Sequence, residues 1–173
     1  MRQEGIVLLS TLLVILLLTF FLLAQMQAIY LANKMLNIGV EQAHFFSQLE
    51  KEAYALTQLN IPSQCMIKEQ DPLAVRDLLI QKRGCTATKD KLTMHYVIED
   101  LGVVPCMRIA QANTSFSTRH VRYTVMGIGK FAAFYQLRLA VPVKACACAE
   151  KQAVFVNPGL LSWHFQPIAN PQK

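Results

Sequence analysis

Residues 6–24 read IVLLSTLLVILLLTFFLLA, nineteen residues without a charge, in which Ser10, Thr11 and Thr19 are the polar side chains. As an α-helix this stretch rises about 28 Å at ~1.5 Å per residue, close to the ~30 Å hydrocarbon core of a bilayer. The three hydroxyls can bond back to carbonyls of their own helix, so they do not oppose insertion. A cleaved secretory signal carries a shorter apolar region, about 7–15 residues, although the small pair Ala24 and Ala28 keeps such a cleavage as an alternative. Residues 6–24 are expected to span a membrane.

The helical pattern does not stop at Ala24. Between Gln25 and Asn60 there is no proline and a single glycine, Gly39. Apolar residues recur at Ala28, Leu31, Met35 and Ile38, then at Phe45, Leu49, Ala53 and Leu56. This spacing makes one stripe on a helix, with Lys34, Glu41, Glu50 and Lys51 among the polar positions. No turn signal interrupts it before Pro62, which should end it. The expectation is one helix over residues 6–60, roughly 80 Å long at ~1.5 Å per residue, apolar all round at first and amphipathic later. Sustained heptads with flanking charge pairs are missing, so the amphipathic half is expected to dock on residues 61–173 and not on a coiled-coil partner.

Those residues change period. Asp71, Pro72 and Gly84 punctuate a short helix as cap, first residue and exit, with Val75, Leu78 and Leu79 facing inward. Beyond it Met94, Tyr96 and Ile98 alternate, as do Val121, Tyr123 and Val125. Tyr135, Leu137, Leu139, Val141 and Val143 alternate with Phe134, Gln136 and Arg138. Further short strands are expected at 104–110 and 153–165, the latter broken at Asn157-Pro158-Gly159. The fold expected is α+β: a long N-terminal helix packed on a small antiparallel sheet with one face on the core and one in water.

The whole chain has 173 residues, 53% of them hydrophobic and 16% charged, which excludes disorder, since soluble domains carry about 25% charge. Its formal charge of +6 is uneven: three bases and four acids precede residue 61, and fourteen bases and seven acids follow. A basic second half suits solubility, and also an acidic partner, whether nucleic acid or an acidic surface. Arg119, Arg122, Tyr123 and Lys130 interleave bases with an aromatic as nucleic-acid surfaces do, though strands often do so on a solvent face. Enzyme motifs are missing. The four histidines (His44, His95, His120, His164) lie far apart, no HExxH, GxSxG, P-loop or GxGxxG occurs, and Gly127-Ile128-Gly129 reads as a turn. No catalytic residue, cofactor or metal is expected.

Five cysteines, Cys65, Cys85, Cys106, Cys146 and Cys148, all fall outside the long helix. That suits an oxidising compartment and at least one disulfide. Cys146 and Cys148 are too close for an easy mutual bridge, so one of them should pair with Cys106 or Cys85. A metal held by Cys106, Cys146 and Cys148 is a weaker alternative, and the odd count leaves one thiol over.

A very short polar leader, a long half-apolar helix and a small cysteine-bearing α+β head together resemble a type IV pilin or pseudopilin. The residues that carry the likeness are Met1-Arg2-Gln3-Glu4-Gly5 followed by Ile6-Val7-Leu8-Leu9-Ser10. The resemblance implies a leader over 1–5, cut by prepilin peptidase after Gly5, with methylation of the new N-terminus at Ile6. It also implies a single pass through the inner membrane, a periplasmic head over 61–173, and later incorporation in a pilus fibre beside the major pilin and other minor pilins. Most of the family has glutamate five residues after the cut, where this chain has Ser10. Serine there is similar to the PilX class of minor pilins, as is the run over residues 42–56 that ends in Leu49-Glu50-Lys51-Glu52-Ala53. The expectation is a minor pilin that acts near the fibre tip and primes assembly. The alternatives are a pseudopilin of type II secretion and a bitopic inner-membrane protein with an uncleaved anchor. Glu4 and Ile6 depart from the family's commoner base and phenylalanine or methionine at those places.

Processing gives the first test. Glycine lets an extended leader enter a protease site that a branched residue would block. Mass spectrometry of the native protein should show a chain starting at N-methylated Ile6; an intact Met1, or a cut near Ala28, would exclude it.

Overall fold

The computed structural model describes residues 4–59, 63–68, 71–90, 92–111, 114–148 and 153–168, the side chains of residues 4–6 and 63 excepted. The chain divides into two units, Met1–His44 and Phe45–Lys173. One helix, α1 (Glu4–Leu56), supplies the described part of the first and the opening turns of the second. In the first unit the side chains of residues 7–41 are all exposed, Ala28, Leu31, Met35 and Ile38 included. This is one helix long and apolar enough to cross a membrane.

In the second unit the elements run β1 (Met66–Lys68), α2 (Pro72–Ile80), β2 (Cys85–Lys89), β3 (Leu92–Gln111), β4 (Thr114–Ile128), β5 (Ala132–Val143), β6 (Val154–Phe155) and β7 (Gly159–Pro167). They form a single sheet in the order β1-β3-β4-β5-β7, with β2 and β6 also on β3. The β3–β4–β5–β7 series is antiparallel throughout. The other edge of β3 is shared: β2 pairs with Leu92 to Tyr96, β1 with Ile98 to Asp100, and β6 with Met107 and Arg108.

Period-2 alternation sends Met94, Tyr96, Ile98, Tyr123, Val125, Ala133, Tyr135 and Leu137 to one face. The last turns of α1 close it with Phe45, Leu49, Ala53 and Leu56, the second half of the stripe read from the sequence. Two glycines let the helix come close. A Cβ on Gly127 would meet Leu49 Cδ1 at 2.7 Å, and one on Gly129 would meet the Phe45 ring at 3.2 Å. The polar neighbours of the stripe are tied down as well. Tyr135 donates to Glu50 Oε1 at 3.1 Å, and Lys89 Nζ lies 2.8 Å from the buried Glu52 carboxylate.

Several expectations need correction. The sheet is mixed and not antiparallel, because β1 and β6 run parallel to β3. Strands of three and two residues are too short to carry a readable alternation. Residues 104–110 are no separate strand but the end of the twenty-residue β3, whose register shifts between Asp100 and Val103 and again between Val104 and Arg108. The first shift is turned by Gly102 at φ +81°, its N–H donating to Asp100 Oδ1, and the second holds Pro105, which has no N–H to give a ladder. Nor is the second face wet throughout. α2 lays Val75 and Leu79 on Val97, Met126 and Phe134.

The helix boundaries also move. α1 ends at Leu56, before the expected residue 60, where Thr57, Gln58 and Leu59 turn back with bonds to carbonyls three residues earlier. Pro62 lies outside the described residues. Asp71 caps α2 with its backbone only: its carbonyl accepts from Val75 N at 3.1 Å, and its side chain makes no capping bond. The exit belongs to Lys82 and not to Gly84. Lys82 stands at φ +56°, with Lys82 N bonded to Leu79 O and Arg83 N to Leu78 O, the paired bonds of a Schellman ending. Gly84, also at positive φ (+116°), lies beyond the helix end and is needed for space as well, since a Cβ there would sit 2.9 Å from Tyr96 O. Gly127 and Ile128 are strand, and the turn comprises residues 129–131.

The helix–sheet seam can be measured by a double-mutant cycle in chemical denaturation. Leu49→Ala should cost about 2–5 kcal/mol, the range for a buried leucine. Gly127→Ala should cost about 1–3 kcal/mol through overpacking. The double variant should cost less than the two together, because the shortened side chain at 49 makes room for the new Cβ; strict additivity would refute the contact.

Candidate functional site

Gly5 and Ile6 lie within α1. Ser10 is one turn further on, and its hydroxyl donates to Val7 O at 2.9 Å. Thr11 and Thr19 do the same to Leu8 O and Leu16 O, also at 2.9 Å. Each polar side chain of residues 7–24 is thereby satisfied by its own helix. What this half offers a neighbour is an apolar cylinder with no charge.

The five cysteines resolve into two bridges and one thiol. Cys65–Cys85 ties the turn before β1 to the start of β2, and Cys106–Cys148 ties the second register shift of β3 to the segment after β5. Cys146 is free and exposed. Of the two candidates for Cys106, Cys146 is held by its backbone instead: its N–H donates to Ser117 Oγ at 2.8 Å. Because Cys106 and Cys148 are joined to each other, the three sulfurs are not a ligand set. Among the described residues, no three His, Cys, Asp or Glu side chains gather as a metal site would require.

The basic and aromatic run around Arg119 is taken apart by the sheet. Tyr123 points into the core, Arg119 pairs with Asp100, and Arg122 grips the fully buried Glu99 with bonds of 2.7 and 2.6 Å. Burial of Glu99 is tolerable because both carboxylate oxygens are met by one guanidinium fork. Lys130 is exposed in the turn after β4.

Beside the Glu99–Arg122 pair runs a polar chain that no motif in the sequence announces. Arg138 Nη2 lies 2.7 Å from His120 Nδ1, and His120 Nε2 lies 3.1 Å from Thr118 Oγ1, which donates to Met107 O at 3.0 Å. A guanidinium can only donate, so Nδ1 accepts and the ring is neutral with its proton on Nε2. Burial first, and the Arg138 charge second, hold the His120 imidazole below its ordinary value. His95, buried against Thr86 Oγ1 at 3.0 Å, is pushed down by burial and by Lys82. His44 and His164 are exposed.

A concavity lies between α2 and the outer face of β4, β5 and β7. Two adjoining cavities of about 300 Å³ each share Arg76, Phe134 and Gln166. Thr124, Gln136 and His164, side by side in the ladder, line one of them. The sequence could not point to this place, because its residues come from four elements and none belongs to a motif. Compared with protein-family models, with curated proteins and with solved structures, the chain gives no match.

The His120 chain sets a pH dependence of known sign. A histidine held below its unfolded value takes up protons on unfolding, so its stabilisation is complete above the unfolded value of 6.5 and is lost as the pH falls below it. Thermal melts of the full chain from about pH 8 to about pH 5 should show falling stability. His120→Gln, which can accept from Arg138 and donate to Thr118 without titrating, should flatten that fall. An unchanged slope would show that His120 is not its source.

Proposed function

We propose that this chain is a minor pilin of the type IV pilus class, processed after Gly5, anchored by residues 6–24 with its head in the periplasm, and acting at or near the fibre tip to prime assembly. The observation that carries the reading is the division of α1. Its residues 6–24 are an uncharged apolar cylinder, and its last turns are the core helix of an α+β head closed by two disulfides. Such a chain can sit in a bilayer before assembly and in an apolar bundle of like helices afterwards, with the head outside both.

Ser10 supports a place at the tip. In the pilin family, a glutamate at this place in an incoming subunit is thought to meet the charged N-terminus of the subunit above it. A subunit with nothing above it would hold that carboxylate buried and unpaired, at a cost of several kcal/mol. The Ser10 hydroxyl, already bonded to Val7 O, needs no such partner. The chain should therefore be scarce in sheared fibres relative to the major pilin. Deleting it should sharply lower the number of fibres without changing the diameter of those that remain. Near-stoichiometric abundance along the fibre, measured by quantitative immunoblotting, would overturn the tip role.

A further inference from the structure

Of the strands in the sheet, β7 is unusual in what it leaves open. It is the last strand on its side, paired with β5 alone among the described residues. Proteins ordinarily protect such an edge with charges, with a cover, or by keeping it short. Here nine residues, Gly159-Leu-Leu-Ser-Trp-His-Phe-Gln-Pro167, include no Asp, Glu, Lys or Arg. A register shift opposite Arg138 and Leu139 and the terminal Pro167 are the interruptions, and between them the run from Ser162 to Gln166 pairs regularly with β5.

The two faces of this edge differ. Leu160, Trp163 and Phe165 lie opposite Leu139, Leu137 and Tyr135, and so point to the side on which α1 packs. Phe165 is covered by Phe46, with ring centroids 4.3 Å apart. Leu160 and Trp163 are not: they are 43% and 62% exposed, and Trp163 stacks on Tyr135 at the rim. Glu50 is engaged by the Tyr135 hydroxyl. On the other side His164 and Gln166 line the cavities beneath α2, with Arg76 on their wall, and Ser162 shares that face with Arg138 paired beside it. Neither Arg76 nor Arg138 has an ion-pair partner among the described residues.

We propose that the free edge of β7 is a strand-addition site that takes an extended segment of another protein, one in which apolar residues alternate with Asp or Glu. Backbone N–H and C=O groups of β7 would extend the ladder, as in other complexes formed by strand addition. The period of two would then turn the apolar residues onto Leu160 and Trp163 and the acids toward Arg76 and Arg138. Charge decides against a second copy of this chain: a β7–β7 pair would set two arginine-bearing faces side by side, with no acid among the residues that line the cavities there. The inference is independent of the pilin reading, since it rests on the edge alone.

Trp163 is the single tryptophan of the chain, so its emission reports on this edge directly. The full chain in detergent micelles is titrated with a nine-residue peptide of alternating valine and glutamate, matched to the length of β7. Binding should shift Trp163 emission to the blue and slow hydrogen exchange of β7 amides. The same peptide with lysine for glutamate, or with alternate amides N-methylated, should bind at least about tenfold more weakly, the scale of one lost charge-assisted contact or ladder. Arg76→Glu, at an exposed position, should weaken the glutamate peptide and strengthen the lysine peptide. Three results would overturn the proposal. Equal binding of the lysine peptide would remove the charge argument, and equal binding of the N-methylated peptide would remove the ladder. A Trp163 shift that follows protein concentration without peptide would give the edge to a second copy.

Discussion

Leu49 resting on Gly127 is the contact on which the second unit is built. A helix lies this close to a sheet only where the sheet lacks a side chain, and the 2.7 Å that a Cβ would leave shows that alanine already crowds the place. With that contact made, helical spacing carries Phe45, Ala53 and Leu56 to the same face, and strand alternation brings Met94, Val125 and Leu137 to meet them. Full burial of each large apolar side chain contributes about 1.5–3 kcal/mol. The rotation of the helix is then set by its polar flanks, since Glu50 must reach Tyr135 and Glu52 must reach Lys89. Burial and the bond to Glu50 push the Tyr135 phenol up to about 12, so this tie keeps its donor across the physiological range.

Behind that face the sheet is held by different forces. α2 covers part of it with an apolar patch built on Val75 and Leu79, and the rest is organised by charge: Glu99 with Arg122, and Arg138 with the neutral His120. A pair as buried as Glu99 and Arg122 adds less stability than definition of register, because a one-residue slip would leave the carboxylate alone. The two disulfides then fasten segments where the ladder itself is weak, at the three-residue β1 and at the second register shift of β3.

The long helix, the three principal strands and the docking stripe were legible because each repeats its period over enough residues to be read. The break at Asn157-Pro158-Gly159 was legible too, and it separates β6 from β7. The fusion of residues 104–110 with the strand before them was hidden by Gly102 and Pro105, which punctuate a bulged strand as they would a loop. The exit of α2 was misplaced because glycine is the usual residue at positive φ: Gly84 does take that conformation, but Lys82 takes it first, at the helix end, and Gly84 follows in close packing on Tyr96. Arg119 and Arg122 looked like a basic surface because their partners, Asp100 and Glu99, sit on another strand. The polar cavities beneath α2 and the open edge of β7 depend wholly on which elements become neighbours. No local pattern encodes that.

The seam between α1 and the sheet also has a consequence in time. Chains emerge from the ribosome N-terminus first, so Phe45, Leu49 and Leu56 are made well before Val125, Gly127 and Leu137. Throughout that interval the stripe has nothing to cover it. The hairpins of β3 with β4 and of β4 with β5 close over short connections and can form as soon as they are synthesised. The helix, although first out, is the last large element to find its place. A nascent chain of this kind carries this second apolar surface uncovered for much of its synthesis.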